Sequence, residues 1–188
     1  MKLLAFLLAS AALLAQQYFP AGVLSSDSRY SKHLRALREP SLWELSQKDP
    51  NAEVYRFLWL RSFHHPIVIR VVVHANGSGR INSRMTSGKG GAEPGGIRHY
   101  STSWLRKART QEWLASFESA GFWNQPTLLP DAKDMAQADG AEWIFEGVRN
   151  GKYHVIDRHS PAAGDPVRAI GILGLKLARF KIRPAEIY

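Results

Sequence analysis

Asn150-Gly151 restricts the fold more than any other feature of the chain. It lies between Trp143–Val148 and Tyr153–Arg158, two runs of strand-forming residues. Asn and Gly both tolerate positive φ, so the pair predicts a two-residue type I′ turn joining two antiparallel strands. A two-residue loop also sets the register, with Val148 opposite Tyr153, Glu146 opposite Val155, Ile144 opposite Asp157 and Glu142 opposite His159. One face then carries Glu142, Glu146, Asp157 and His159. The other carries Trp143, Phe145, His154, Ile156 and Arg158.

The same period appears upstream. Tyr55, Phe57, Trp59 and Phe63 share one face, and Arg56, Leu58, Leu60 and Ser62 the other. After a break at His64-His65-Pro66, the β-branched run Ile67–Val73 predicts a second strand of a pair. Arg80–Thr86 and Ile97–Leu105 are further strand candidates, set among glycine-rich turns. Helices are expected over Ser31–Arg38, over Ser41–Lys48 and over Thr110–Ala120. In the second, Ser41 and Glu44 form a capping-box pattern. In the third, Trp113, Leu114 and Phe117 make an apolar stripe and Gly121 a stop. A last helix starts at Asp165-Pro166, weakened by Gly171 and Gly174. Strands beside strands, with helices after each group, imply an α+β fold: an antiparallel sheet of five to six strands with two helices packed on one face.

Residues 1–17 read as a signal peptide. Lys2 precedes an apolar run, Leu3 to Ala15, which ends at the polar pair Gln16-Gln17. The run is too short to span a bilayer as a helix. Cleavage after Ala15 is expected, although Leu13 is not small. The alternative is an uncleaved anchor over residues 3–24. Residues 18–53 then form a polar helical lead-in, and 54–188 a single α+β domain. The chain has no cysteine, which excludes disulfides, thiolate metal sites and cysteine nucleophiles. These features imply an exported protein, periplasmic or secreted, held together by its core.

The formal net charge of +9 is unevenly distributed. Val54–Arg109 holds ten basic residues against one acid, Glu93, while Thr110–Asp165 holds nine acids against four bases. Such asymmetry predicts an anionic partner, an envelope polymer or a membrane surface, met by Arg56, Arg61, Arg70, Arg80, Arg84 and Arg98. The plainer alternative is that the basic part pairs with the acidic part inside one fold. No nucleic-acid motif is present, and nucleic acid is not expected as a partner.

Three carboxylates and a histidine on one hairpin face (Glu142, Glu146, Asp157, His159) could bind a hard cation or do acid–base work. Their alternative role is cross-strand pairing, Glu142 with His159 for example. His64 and His65 point to opposite faces of a strand and do not chelate one ion. Gly88-Lys89-Gly90-Gly91 lacks the spacing of a phosphate loop, and no Gly-x-Ser-x-Gly elbow occurs. No cofactor is implied.

Several segments occur in a familiar order: Tyr55–Pro66, Gly88–Gly91, Ala120–Trp123, Asp139–Arg158 and Ser160-Pro161. The hairpin, Trp-x-x-Glu-Gly-x(5)-Tyr-His-x-x-x-Arg, is the most specific of them. This succession resembles a group of uncharacterised bacterial proteins, often exported. The resemblance implies a cell-envelope setting and assigns no reaction and no catalytic residue. The leading expectation is a non-enzymatic binding or scaffolding domain with a basic surface. The alternative is a metal-dependent or acid–base hydrolase using the hairpin cluster. A weaker one is an inhibitor-like protein that meets an unidentified protein partner through the stretch Gly77–Gly96.

Overall fold

The computed structural model describes residues 16–130 and 139–188. The apolar run up to Ala15, and residues 131–138 of the polar loop Leu129–Asp139, lie outside them. Six strands form one open sheet: β1 (Val54–Arg61), β2 (Ile67–Val73), β3 (Gly79–Thr86), β4 (Ile97–Leu105), β5 (Ala141–Arg149) and β6 (Lys152–His159). Their order is β4-β3-β2-β1-β5-β6, and every neighbouring pair is antiparallel. Four α-helices complete the α+β fold among the described residues: α1 (Asp27–Ala36), α2 (Leu42–Lys48), α3 (Lys107–Ser119) and α4 (Pro166–Leu177).

Alternation decides what each face of the sheet buries. Tyr55, Phe57, Trp59, Ile67, Ile69, Val71, Trp143, Phe145 and Ile156 point to one side, where they pack with Trp113 and Phe117 of α3 and Val167, Ile170 and Leu175 of α4. This is the helix face. Phe57 and Phe145 stack across β1 and β5, with ring centroids 4.6 Å apart and planes 5° from parallel. Phe63 lies beyond the end of β1 and is exposed, not part of that face.

The glycines of α4, expected to weaken the helix, are its points of closest approach. A Cβ on Gly171 would overlap the Trp143 ring and come within 2.9 Å of Phe57 Cζ, and one on Gly174 would lie 3.0 Å from Trp113. Their absent side chains let the helix lie directly on the aromatic layer. Asp165 caps α4 by accepting a hydrogen bond from the Val167 amide at 2.7 Å, with Pro166 in the first turn.

The second face is also covered, by the segment expected to be only a lead-in. Tyr18, Phe19, Leu24, Tyr30, Leu34 and Leu37 pack on Leu58, Leu60, Val68, Ile144 and Val155. Tyr18, Phe19 and Leu24 are therefore core residues. No helix among the described residues is long and apolar enough to cross a membrane. α1 begins four residues earlier than its sequence pattern suggested, because Asp27 accepts from Ser31 Oγ at 2.7 Å and brings Tyr30 onto the sheet. At α2, Ser41 Oγ accepts from the Glu44 amide (3.0 Å), as the capping pattern predicts. The Glu44 carboxylate does not close the box. It accepts from the Gln17 amide (3.0 Å), and Ser41 Oγ donates to the Gln17 carbonyl (2.5 Å), mooring residue 17 to the helix. α3 starts at Lys107, three residues before the expected Thr110. Thr110 is buried inside the first turn, and its hydroxyl donates to the Arg106 carbonyl.

Candidate functional site

The hairpin turns as its sequence requires, with Asn150 at φ 53° and Gly151 at φ 69°. The register pairs Glu142 with His159, Ile144 with Asp157 and Glu146 with Val155. The four candidate residues share a face, yet they divide into two groups.

Glu142, Asp157 and His159 meet two residues of α1. Tyr30 donates its hydroxyl proton to Asp157 Oδ2 (2.7 Å), Arg29 Nη2 donates to Glu142 Oε1 (3.2 Å), and His159 Nδ1 lies 3.3 Å from that same oxygen. Burial, reinforced by the Glu142 charge, pushes the Asp157 carboxyl up to about 7. Burial and the neighbouring Asp157 likewise push the Tyr30 phenol upward. Among the described residues, no group of three or more His, Asp or Glu side chains is placed to hold a metal ion.

Glu146 belongs to a different assembly. Its carboxylate is fully buried, accepting from Arg56 Nε (2.6 Å) and from the Tyr153 hydroxyl (2.8 Å). Burial pushes the Glu146 carboxyl up, against the pull of Arg56. Arg56 also donates to the Pro40 carbonyl (2.6 Å) and lies 3.6 Å from Glu39. Glu39, closed from solvent, accepts from Arg70 Nε (2.7 Å) and pairs with Arg84. Two carboxylates and three guanidinium groups thus form a covered network between the sheet and the α1–α2 connection.

This network corrects the expected basic surface. Arg56 has no exposure, Arg70 and Arg84 are held on Glu39, and Arg61 is buried over the Trp59 ring, 4.1 Å from its centroid. Of the six arginines, only Arg80 and Arg98 are exposed. Period-two spacing shows which face a residue joins. It does not show that residues 18–53 cover that face and bring Glu39 to it.

A different basic surface lies where the end of β4 meets α3 and α4. Trp104, Leu105, Arg106, Arg109, Lys176, Leu177 and Arg179 line a groove of about 310 Å³. Among the described residues, the carboxylate paired with these four cations is Glu112, on Arg109 at 2.6 Å. α3 begins without a side-chain cap and without an acid in its first turn. The four cations come in two pairs, Arg106/Arg109 and Lys176/Arg179, each spaced i, i+3. That repeated spacing was the sequence signal for the groove.

The remaining motifs serve the fold. His64 Nδ1 contacts the Tyr188 hydroxyl and His65 Nδ1 the Gly88 carbonyl, both at 2.8 Å. The Gly90 amide donates to the Arg61 and His64 carbonyls, so Gly88–Gly91 lies against the end of β1. β3 runs through Gly77–Gly96, which is therefore not one free loop. No protein-family model matches this chain and no curated protein matches it, so none of these residues inherits a role from a relative.

Proposed function

We propose that the chain is an exported, non-enzymatic binding domain of the cell envelope, and that its basic groove takes an anionic group carried by an envelope polymer or a membrane surface. One observation carries the reading: four cations converge beside exposed Trp104 with, among the described residues, a single carboxylate paired to them, whereas the sheet's own arginines are largely neutralised within the fold. Cations left close together repel one another, and a bound anion relieves that repulsion. The leader-like residues 1–17 support the envelope setting.

Binding of the full chain to soluble polyphosphate and to anionic phospholipid vesicles, run in parallel, tests this. Either probe should bind at low salt and release as ionic strength rises, because screening shortens to about 8 Å near physiological salt. Arg106→Glu with Lys176→Glu should abolish it. Retention by polyphosphate alone identifies a polymer, and retention by vesicles alone identifies a membrane surface. Absence of binding at any salt concentration overturns the reading.

A second reading, acid–base hydrolysis by Glu142, Asp157 and His159, draws on the raised Asp157 carboxyl beside a carboxylate and an imidazole. Tyr30 and Arg29 already take the hydrogen bonds of that cluster. A hydrolase would lose all turnover on Asp157→Asn, and a binding domain would keep its ligand.

A further inference from the structure

β4 is an edge strand whose outer side no other strand covers among the described residues. The alternation of the ladders shows which of its backbone groups point outward. The His74 amide donates to Ser78 and the Thr86 amide to Pro66, so Arg80, Asn82 and Arg84 direct their backbone groups toward β2. Ile81 and Ser83 therefore turn toward β4, onto Ser103 and Ser101. Tyr100, Thr102 and Trp104 are left with amides and carbonyls directed away from the sheet. Among the described residues no strand pairs with that side.

The same strand carries exposed apolar side chains. Trp104 is 69% exposed, Tyr100 59% and Ile97 38%, three of the six large hydrophobic residues exposed among those described. Natural edges are usually protected by proline, inward charge, bulging or a covering loop. β4 has no proline, and its irregularity falls at its start, opposite Met85/Thr86. The surrounding charge is one-sided: Gly79–Lys107 contains six basic residues and one acid, Glu93, which is paired with Lys32.

We infer that β4 accepts an extended, acidic segment of a partner protein as a seventh strand, hydrogen-bonded to Tyr100, Thr102 and Trp104. Backbone pairing supplies the attraction, Tyr100 and Trp104 pack on alternate side chains of the guest, and Arg80 and Arg98 select acidic residues. A second copy of this chain fits less well, since antiparallel β4–β4 pairing brings two basic edges together. This inference stands on the β4 backbone and does not depend on the groove.

The probe is a capped ten-residue peptide alternating glutamate with valine, added to the full chain. Amide hydrogen exchange at Tyr100, Thr102 and Trp104 should slow by about tenfold or more at saturation, while Ser101 and Ser103, already bonded to β3, change little. Thr102→Pro removes one outward N–H at a position where an edge strand tolerates proline. It should weaken peptide binding by about tenfold and leave polyphosphate binding unchanged. Unchanged exchange at the three amides overturns the inference, whatever the variant does. So does a peptide-free dimer in sedimentation whose β4 amides are protected, which would make a second copy the occupant.

Discussion

Arg56 and Glu146 face each other across β1 and β5, both closed to solvent, with Arg56 Nε 2.6 Å from Glu146 Oε2. Removing one partner strands the other charge in the interior, at a cost of roughly 3–5 kcal/mol. Arg56→Met should be the worse single change, because Glu146 then keeps only Tyr153. Glu146→Leu leaves Arg56 beside Glu39. Arg56→Met with Glu146→Leu should recover much of the loss. Urea unfolding of the two single variants and the double variant checks this as a cycle, and additive losses would deny the coupling.

Two buried groups push the pH dependence of stability in opposite directions. Asp157, raised from 3.8 to about 7, holds a proton that the unfolded chain releases, so its contribution is present below about pH 4 and is lost as pH rises to 7. His33 is lowered from 6.5 to about 4, by burial first and then by Arg29 and Lys32, and its ring is fully closed from solvent. The unfolded chain takes up that proton first, so the His33 contribution is present above pH 6.5 and lost on acidification toward 4. Between these limits each group contributes a slope of at most about 1.4 kcal/mol per pH unit, of opposite sign. Asp157→Asn should leave stability rising with pH from 4 to 6.5, and His33→Leu should leave it falling from 4 to 7. Thermal melts across that range decide the matter, and unchanged profiles in both variants would refute it.

Gly171→Ala adds one methyl group between α4 and the Trp143 ring. Overpacking of this kind costs about 1–3 kcal/mol. Gly164→Ala, where a Cβ meets nothing within 4 Å, is the matched control and should be close to neutral. Melting temperatures of the two variants, with near-ultraviolet dichroism to follow the tryptophans, give the comparison.

Phe19→Ala tests whether residues 18–24 belong to the domain. Phe19 is fully buried and packs edge-on to Tyr30, with centroids 6.4 Å apart. Its loss should cost about 3–5 kcal/mol, the range for a buried phenylalanine. A loss below 1 kcal/mol in urea unfolding would mean that this segment is not part of the cooperative unit.

Local chemistry made much of the fold legible. Asn150-Gly151 set the β5–β6 register to the residue, and period two placed Phe57, Trp59, Trp143 and Phe145 on the face that α3 and α4 cover. Tyr18, Tyr30, Leu34 and Leu37 gave a weaker signal, because the charged residues between them hide the stripe that docks. The site was legible in pieces. Glu142, Asp157 and His159 do converge, but Glu146 is drawn off by Arg56. The groove joins side chains about seventy positions apart, and only the packing of α3 beside α4 brings them together. The buried network depends on Glu39, an inconspicuous residue between helices whose place follows from the path of the chain.

The bonds from α1 to the final hairpin span much of the chain: 113 residues separate Arg29 from Glu142, and 127 separate Tyr30 from Asp157. Contacts of such long sequence separation form late, since the loop they close must be ordered first. The second face of the sheet therefore cannot close until β5 and β6 have been synthesised. A chain joined in this way stays slack on that face for most of its synthesis. The same connectivity that completes the domain sets the latest moment at which it is still open.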